Sequence, residues 1–247
     1  MDPLAEEFPN YGGYVYTMNN PIRYTDPKGM APEDWIFHFW NGNFMGVTDT
    51  GKGRAIRFNI DGIERSLNPR SVSNSTYFAA ASKYIVSQVN PKLNVSYKIV
   101  DEKRRTGGYH VPNTKNVTIT DRSFETNNFY DVKSVAIHEN DHYEQGPVKR
   151  YRDHTITYKN EAKSDNFKNT SDKHKYRNAR GFAQRVINAF AGGEYGGNTE
   201  AFYNDIKDYN STNPLYQLTP DLRGTLSIKV GNSKENIYPN LRMKYEE

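Results

Sequence analysis

Cysteine is missing from this 247-residue chain. Disulfide bonds, thiolate metal sites and a cysteine nucleophile are therefore excluded. A metal ion, if the protein holds one, has to be bound by histidine, aspartate or glutamate. The chain has 6 histidines, so a pair of them at ligand spacing is informative.

Long hydrophobic runs are also missing. No segment approaches the ~18 consecutive apolar residues typical of a membrane-spanning helix, so we expect no membrane span. The first residues, MDPLAEEFPNYGG, have neither a basic start nor an apolar stretch, and we expect no signal peptide there. Export of the protein would then depend on another carrier.

A concentration of charge of one sign is absent as well. Lys and Arg together number 33 and Asp and Glu 29, which leaves a net charge of +4. The basic residues are scattered among acidic ones, and the short cluster at 102–105 is more typical of a loop than of a phosphate-binding site. We therefore expect no specific nucleic-acid partner.

The chain is rich in aromatic residues, and its 19 Tyr and 12 Phe can supply a core. Apolar residues alternate in some segments and recur at helical spacing in others. Together these patterns predict an α+β fold with a small antiparallel or mixed sheet and a mostly helical C-terminal half. The predicted elements are hairpins at 53–67 and 225–239, strands at 93–100 and 116–120, and helices at 73–90, 127–146, 153–168, 174–191 and 198–209.

The segment AIHENDHYEQG, residues 136–146, carries the clearest chemical signal. Side chains four residues apart on a helix share one face, with Cβ atoms about 5–6 Å apart, so His138 and His142 can bind one Zn²⁺. Glu139 lies about 100° further round the helix. It is placed to act on a water at the metal rather than to bind the metal, as the glutamate of an HExxH motif does.

The alternative interpretation is two unrelated histidines on a solvated helix, and the polar Asn140 and Asp141 favour it. The apolar residues 135–137 before the motif favour a partly buried helix instead. The order of a helix, strands, a short strand at Val117–Thr120 and then the motif helix resembles that of zincin metallopeptidases. That resemblance implies that Val117–Thr120 is the edge strand that aligns the substrate.

A catalytic zinc usually has three protein ligands and a water, so a third ligand is needed. His154, Glu161 and Glu200 are candidates; His154 and Glu161 are about 10.5 Å apart along a helix, too far for both to bind one ion. The segment NEAKSD, residues 160–165, resembles the thermolysin-like gluzincins, although the glycines that usually precede it are absent. That resemblance implies Glu161 as ligand and Asp165 as the residue that orients the first histidine. Tyr158 could polarise a substrate carbonyl.

The N-terminal segment differs from the rest. Its elements Asp2-Pro3-Leu4-Ala5, Tyr14–Tyr16, Asn20-Pro21 and Asp26-Pro27-Lys28-Gly29 resemble the end of the RHS-repeat core of bacterial polymorphic toxins. The resemblance implies that residues 1–34 are a remnant of that core and that 35–247 form a toxin domain. It further implies an RHS cage, a secretion apparatus that releases or injects the toxin into a target cell, and a cognate immunity protein.

The hypothesis from the sequence is a zinc-dependent metallopeptidase toxin of zincin-like fold that hydrolyses peptide bonds in a protein of the target cell. His138, His142 and either His154 or Glu161 would bind the zinc, and Glu139 would be the base. Two alternatives remain: a metal-dependent nuclease toxin, and a non-catalytic structural or adhesion module.

Overall fold

The computed structural model describes residues 34–38, 44–48, 54–101, 106–146, 149–220, 225–230 and 233–240. Residues 1–33 lie outside the described residues, and so does nearly all of the predicted RHS remnant. The predicted division between an RHS remnant at 1–34 and a toxin domain at 35–247 therefore stays a prediction. The segment that carries the candidate metal site is described throughout, apart from residues 147 and 148.

The described residues form a mixed α+β structure with five α-helices and three small sheets. This agrees with the α+β class predicted from the sequence, and the zincin-like fold stays a prediction. The helices are α1 (Ser75–Ser87), α2 (Phe129–Gln145), α3 (Tyr151–Lys163), α4 (Asp172–Ala191) and α5 (Thr199–Thr212). The strands are β1 (Asp34–His38), β2 (Phe44–Thr48), β3 (Ile56–Ile60), β4 (Ile63–Arg65), β5 (Asn94–Lys98), β6 (Gly108–His110), β7 (Asn116–Thr120), β8 (Gln217–Pro220), β9 (Leu226–Val230) and β10 (Ser233–Ile237).

The sheet next to the motif helix has the strand order β5-β7-β6, with β5 parallel and β6 antiparallel to β7. The expectation that Val117–Thr120 forms the edge is therefore wrong, because β7 lies in the middle. The edge beside α2 is β6, a strand of only three residues. Its sequence, Gly-Tyr-His, is too short to show an alternating pattern, which is why the sequence did not indicate it.

The other two sheets are formed by the N-terminal strands β1–β4 and the C-terminal strands β8–β10. The N-terminal sheet has the order β2-β1-β3-β4, and its β3–β4 hairpin turns at Asp61 and Gly62, both with positive φ. The C-terminal sheet has the order β10-β9-β8 and is antiparallel throughout. Both hairpins predicted from turn residues, at 53–67 and 225–239, are present as paired strands.

Two separate hydrophobic cores are present among the described residues. The first packs the N-terminal sheet and β5–β7 against α1 and α2, with Phe78, Phe129 and Val132 at its centre. The second packs α3, α4 and α5 against the C-terminal sheet, with Phe182 and Tyr209 stacked at a centroid distance of 4.2 Å. Helix α2 thus belongs to one core and α3 to the other, and the two helices contact each other.

Local signals explain the bounds of α2. The side chain of Asn128 caps the helix by accepting a hydrogen bond from the backbone N–H of Tyr130 at 2.8 Å. The helix ends at Gly146, whose φ of 77° is strained for other residues. The last turn of α2 therefore stops just beyond His142, and the chain is free to turn back into α3.

No helix in the described part of the chain combines the length and the apolar character that crossing a membrane requires.

Asp131 ties α2 to α4 below the candidate site. It is 2% exposed, and its carboxylate accepts hydrogen bonds from the backbone N–H and the hydroxyl of Ser171, the N-cap of α4, and from the hydroxyl of Thr126. Ser171 in turn caps α4 by accepting from the N–H of His174. One buried carboxylate therefore fixes where α4 begins relative to α2.

We expect Asp131→Ala to lower the free energy of unfolding by about 2–4 kcal/mol, because three donors lose a charged acceptor inside the protein. Asp153→Ala is the control; it removes an exposed pair with Arg150 and should cost less than about 1 kcal/mol. Urea denaturation of the metal-free proteins measures both. Equal costs for the two variants would show that Asp131 does not hold α2 to α4.

Candidate metal centre

Helices α2 and α3 lie side by side and bring three histidines together. His142 faces His154, while His138, one turn earlier on α2, contacts both His154 and Glu161, which is further along α3. The contacts therefore run in opposite chain directions, as expected of helices joined by a short connection. His138, His142 and His154 offer ring nitrogens that all lie within 4.8 Å of one another.

The spacing of these nitrogens fits zinc. The Nε2 atom of His154 lies 3.3 Å from Nε2 of His138 and 3.1 Å from Nε2 of His142. Two nitrogens that each bind a tetrahedral zinc at about 2.0–2.1 Å are about 3.3–3.4 Å apart. The three residues could therefore hold one metal ion with little movement of the rings.

Proton counting supports a cation between the rings. The Glu161 carboxylate can only accept, so Nδ1 of His138 is the donor to it at 3.0 Å, and Nε2 of the neutral ring carries a lone pair. Nε2 of His154 can hold only one proton, yet it faces two nitrogens at hydrogen-bond distance. Its proton could satisfy only one of these contacts, whereas a metal ion satisfies all three nitrogens.

The electrostatic environment keeps two of these rings neutral, which is the form that binds metal. Burial, and then the charges of His138, His110 and Arg185, lower the pKa of His142 to about 3. Burial, and then His138 and His142, hold the pKa of His154 well below its ordinary value. His154 is 3% exposed, and the side chain of His138 is 12% exposed.

Glu161 lies behind the three rings. One of its oxygens accepts from His138, and the other accepts from the hydroxyl of Ser134 at 3.0 Å and from Nε2 of His174 at 2.6 Å. Burial alone would raise the pKa of this carboxyl, but the hydrogen bonds from the two histidines outweigh it and hold the pKa well below its ordinary value. Glu161 is therefore an ionised group that orients His138.

Helix α4 supplies further support for Glu161. Asn178 donates to its carboxylate at 2.7 Å, and Tyr209 of α5 donates to the Asn178 side-chain oxygen at 2.6 Å. His174 and Asn178 are four residues apart and so face α3 together. Side chains from α2, α4 and α5 thus fix the position of one carboxylate on α3.

Tyr158 packs directly on the ligand rings. Its ring centroid lies 4.6 Å from that of His138 and 5.2 Å from that of His154. On its other side is Gly181 of α4, where an added Cβ would lie only 2.5 Å from a carbon of the Tyr158 ring. The ring therefore fills the space between the histidines and α4, and a role in polarising a carbonyl stays a prediction.

Glu139 points towards the edge strand β6 rather than towards α3. It is 5% exposed, and a Cβ added at Gly108 would lie 3.2 Å from its Cγ. The glycine at position 108 therefore leaves room for the glutamate between α2 and β6.

Glu194 holds the start of α3 in place. Its carboxylate accepts from the backbone N–H groups of Tyr151 and Arg152, at 3.1 and 2.8 Å. An acidic group at this position also interacts favourably with the helix dipole. The glycine-rich segment 192–197, which contains Glu194, thus positions the helix that carries His154.

The structure brings together His138, His142, His154 and Glu161, with Glu161 in a different place from the gluzincin expectation. Glu161 contacts the nitrogen of His138 that faces away from the other two histidines, so His154 rather than Glu161 is the residue that could complete a three-ligand set. Asp165 is exposed, because α3 ends at Lys163, and Glu161 takes the orienting position proposed for it. Glu200 is exposed in the first turn of α5.

Sequence reasoning missed the supporting residues. His174 and Asn178 hold Glu161, while Gly181 and Arg185 follow on the same face of α4 at spacings of three and four residues. Polar and small residues that recur every three or four positions along one helix are a signal that could have indicated them. His110, by contrast, bonds the backbone oxygen of Thr114 through its ring nitrogen.

Comparison with protein-family models gives no match, and no significantly similar curated protein or solved structure is found. Any functional assignment therefore depends on the geometry of the centre.

We expect His154→Ala to weaken zinc binding by about 100-fold or more, because one of three ligands is lost. Glu161→Gln should weaken it by about 10–100-fold, as changes to residues that orient ligands do. In Co²⁺-substituted protein, the visible absorption bands should change in His154→Ala and keep their pattern in Glu161→Gln. Competition with a chromophoric chelator measures the affinities.

Asp165→Ala is the control on the same segment, and zinc affinity should be unchanged. If Glu161→Gln changed the cobalt spectrum and His154→Ala did not, Glu161 rather than His154 would be the third ligand.

Proposed function

We propose that this protein is a zinc-dependent metallopeptidase. The observation that carries the proposal is the convergence of three histidine Nε2 atoms at zinc spacing, with Glu139 directly after the first of these histidines. Three histidines leave one coordination position for water, which distinguishes a catalytic site from a closed structural one. The histidine donor set and the absence of thiolates are compatible with zinc.

The ion would supply a water acidified to near neutral pH and would polarise a substrate carbonyl. The chain supplies the proton chemistry. Glu139 takes a proton from the attacking water on its carboxylate and then passes it to the nitrogen of the leaving amine. Glu161 holds the Nδ1 proton of His138, so that its Nε2 stays aimed at the centre.

The position of β6 supports a peptide substrate. Within the described residues β6 pairs with β7 on one side only, and α2 lies next to it. An extended peptide could add to this edge through backbone hydrogen bonds, the mode used in β-augmentation. The peptide would then run beside Glu139, which packs against Gly108 at the start of the same strand.

The resemblance of the N-terminal segment adds a biological setting to the proposal. In that setting the peptidase is the toxin domain of an RHS polymorphic toxin, delivered by a secretion apparatus and neutralised by an immunity protein. Its substrate is a protein of the target cell. A nuclease toxin would be delivered in the same way, so the experiment below includes nucleic-acid substrates.

Glu139→Gln should bind zinc like the unchanged protein but lose peptidase activity by about 10²–10⁴-fold, because the amide cannot accept the proton. Glu144→Gln makes the same change at an exposed position on the same helix and should stay active. The zinc-loaded proteins are incubated with unfolded casein and a peptide library, and products are identified by mass spectrometry. Plasmid DNA and RNA are tested in parallel.

Degradation of nucleic acid that depends on Glu139, without peptide cleavage, would replace the peptidase with a nuclease. The unchanged protein and Glu139→Gln are also expressed inside a bacterial cell. Equal toxicity of the two would show that toxicity does not require Glu139.

A further inference from the structure

Arg185 lies beside the metal centre on α4 but takes no part in the contacts described so far. His174, Asn178 and Gly181 on the same face of α4 meet Glu161 and Tyr158 of α3 in turn. Arg185 is one helical turn beyond Gly181, and His154 is one turn before Tyr158. Because α3 and α4 pack in opposite directions, Arg185 comes level with His154.

Its charge acts on the ligands. Arg185 is among the groups that lower the pKa of both His142 and His154, which agrees with its placement next to these two rings. The guanidinium and the metal ligands therefore share one electrostatic environment. His138 and Glu161 are at the other end of the centre, where α4 contributes His174 and Asn178 instead.

Arg185 is enclosed without an anionic partner. It is 3% exposed, its Nη1 atom is buried with no hydrogen-bond partner, and no described carboxylate forms an ion pair with it. Burying a guanidinium that lacks a partner is unfavourable, because its hydration is lost and not replaced. His174 and Asn178, which precede Arg185 on the same face of α4, are by contrast both paired with the Glu161 carboxylate.

We propose that Arg185 is the anion-binding residue of the centre and that it binds a carboxylate of the peptide substrate next to the scissile bond. This inference rests on the proposed peptidase function and narrows its substrate class. A carboxylate matches the planar guanidinium with two parallel N–H···O bonds. A permanent negative charge compensates Arg185 throughout the binding of substrate, which an oxyanion formed only in the transition state would not do.

Two small probes test the anion site without turnover. Succinate can place one carboxylate at the metal and the other on Arg185, whereas succinamate offers an uncharged amide in place of the second. In the zinc-loaded protein we expect succinate to bind about 10–100-fold more tightly, the range of one charge-assisted hydrogen bond. Isothermal titration calorimetry measures both dissociation constants.

Arg185→Met, which keeps an unbranched side chain but removes the guanidinium, should remove the preference for succinate, and Arg185→Lys should keep part of it. The Tm of metal-free Arg185→Met should equal or exceed that of the unchanged protein, because an uncompensated buried charge is removed. Equal binding of the two probes by the unchanged protein would overturn the proposal. A Tm several degrees lower in both variants would also overturn it, since Arg185 would then be a structural residue.

The source of the carboxylate is tested with cleaved peptides from the library. Peptides with a free C-terminus next to the scissile bond are compared with amidated peptides that carry an internal Asp or Glu at the same place. If cleavage of either peptide set depends on Arg185, the proposal is supported. If cleavage requires neither the free C-terminal carboxylate nor the internal Asp or Glu, the proposal is contradicted. If succinate preference depends on Arg185 but no peptide is cleaved, the peptidase function fails and the anion site remains.

Discussion

The candidate metal centre depends on the hydrogen bonds that converge on the ionised carboxylate of Glu161. It is buried, and it accepts hydrogen bonds from Ser134 and His138 of α2 and from His174 and Asn178 of α4. Four donors compensate the loss of hydration that a buried charge suffers. Because the carboxylate itself is on α3, these bonds fix three helices relative to one another and also fix the tautomer of His138. The three converging nitrogens follow from that arrangement.

The environment of the candidate centre also disfavours positive charge on two of its histidine rings. His142 and His154 lie where burial and neighbouring positive groups disfavour their protonation, so their lone pairs are available. Metal binding at such a site competes weakly with protons. The same burial leaves Arg185 without a counter-ion among the described residues, and this is the observation on which the proposed anion site rests.

The features that the sequence predicted are those that depend only on the spacing of residues within one helix or strand. The pair His138 and His142 with Glu139 between them requires only one helix, and α2 forms within the range 127–146 that its apolar residues predicted. The choice between His154 and Glu161 depends on which residues of α3 lie opposite His138 and His142. That relative position is set by packing between the helices. The role predicted for Asp165 required a helix that continues past Lys163, but the chain turns to an extended conformation at Ser164. Strand β6 is too short to carry a pattern, so the edge strand was misplaced.

The location of the centre between two hydrophobic cores has a consequence for assembly. His138 and His142 are anchored in the N-terminal core through α2, and His154 is anchored in the C-terminal core through α3. A chain in which only the first core had formed would present two imidazoles and would bind a metal ion weakly. High affinity for the ion would require that both halves have docked, so loading with metal would report that the two cores are assembled.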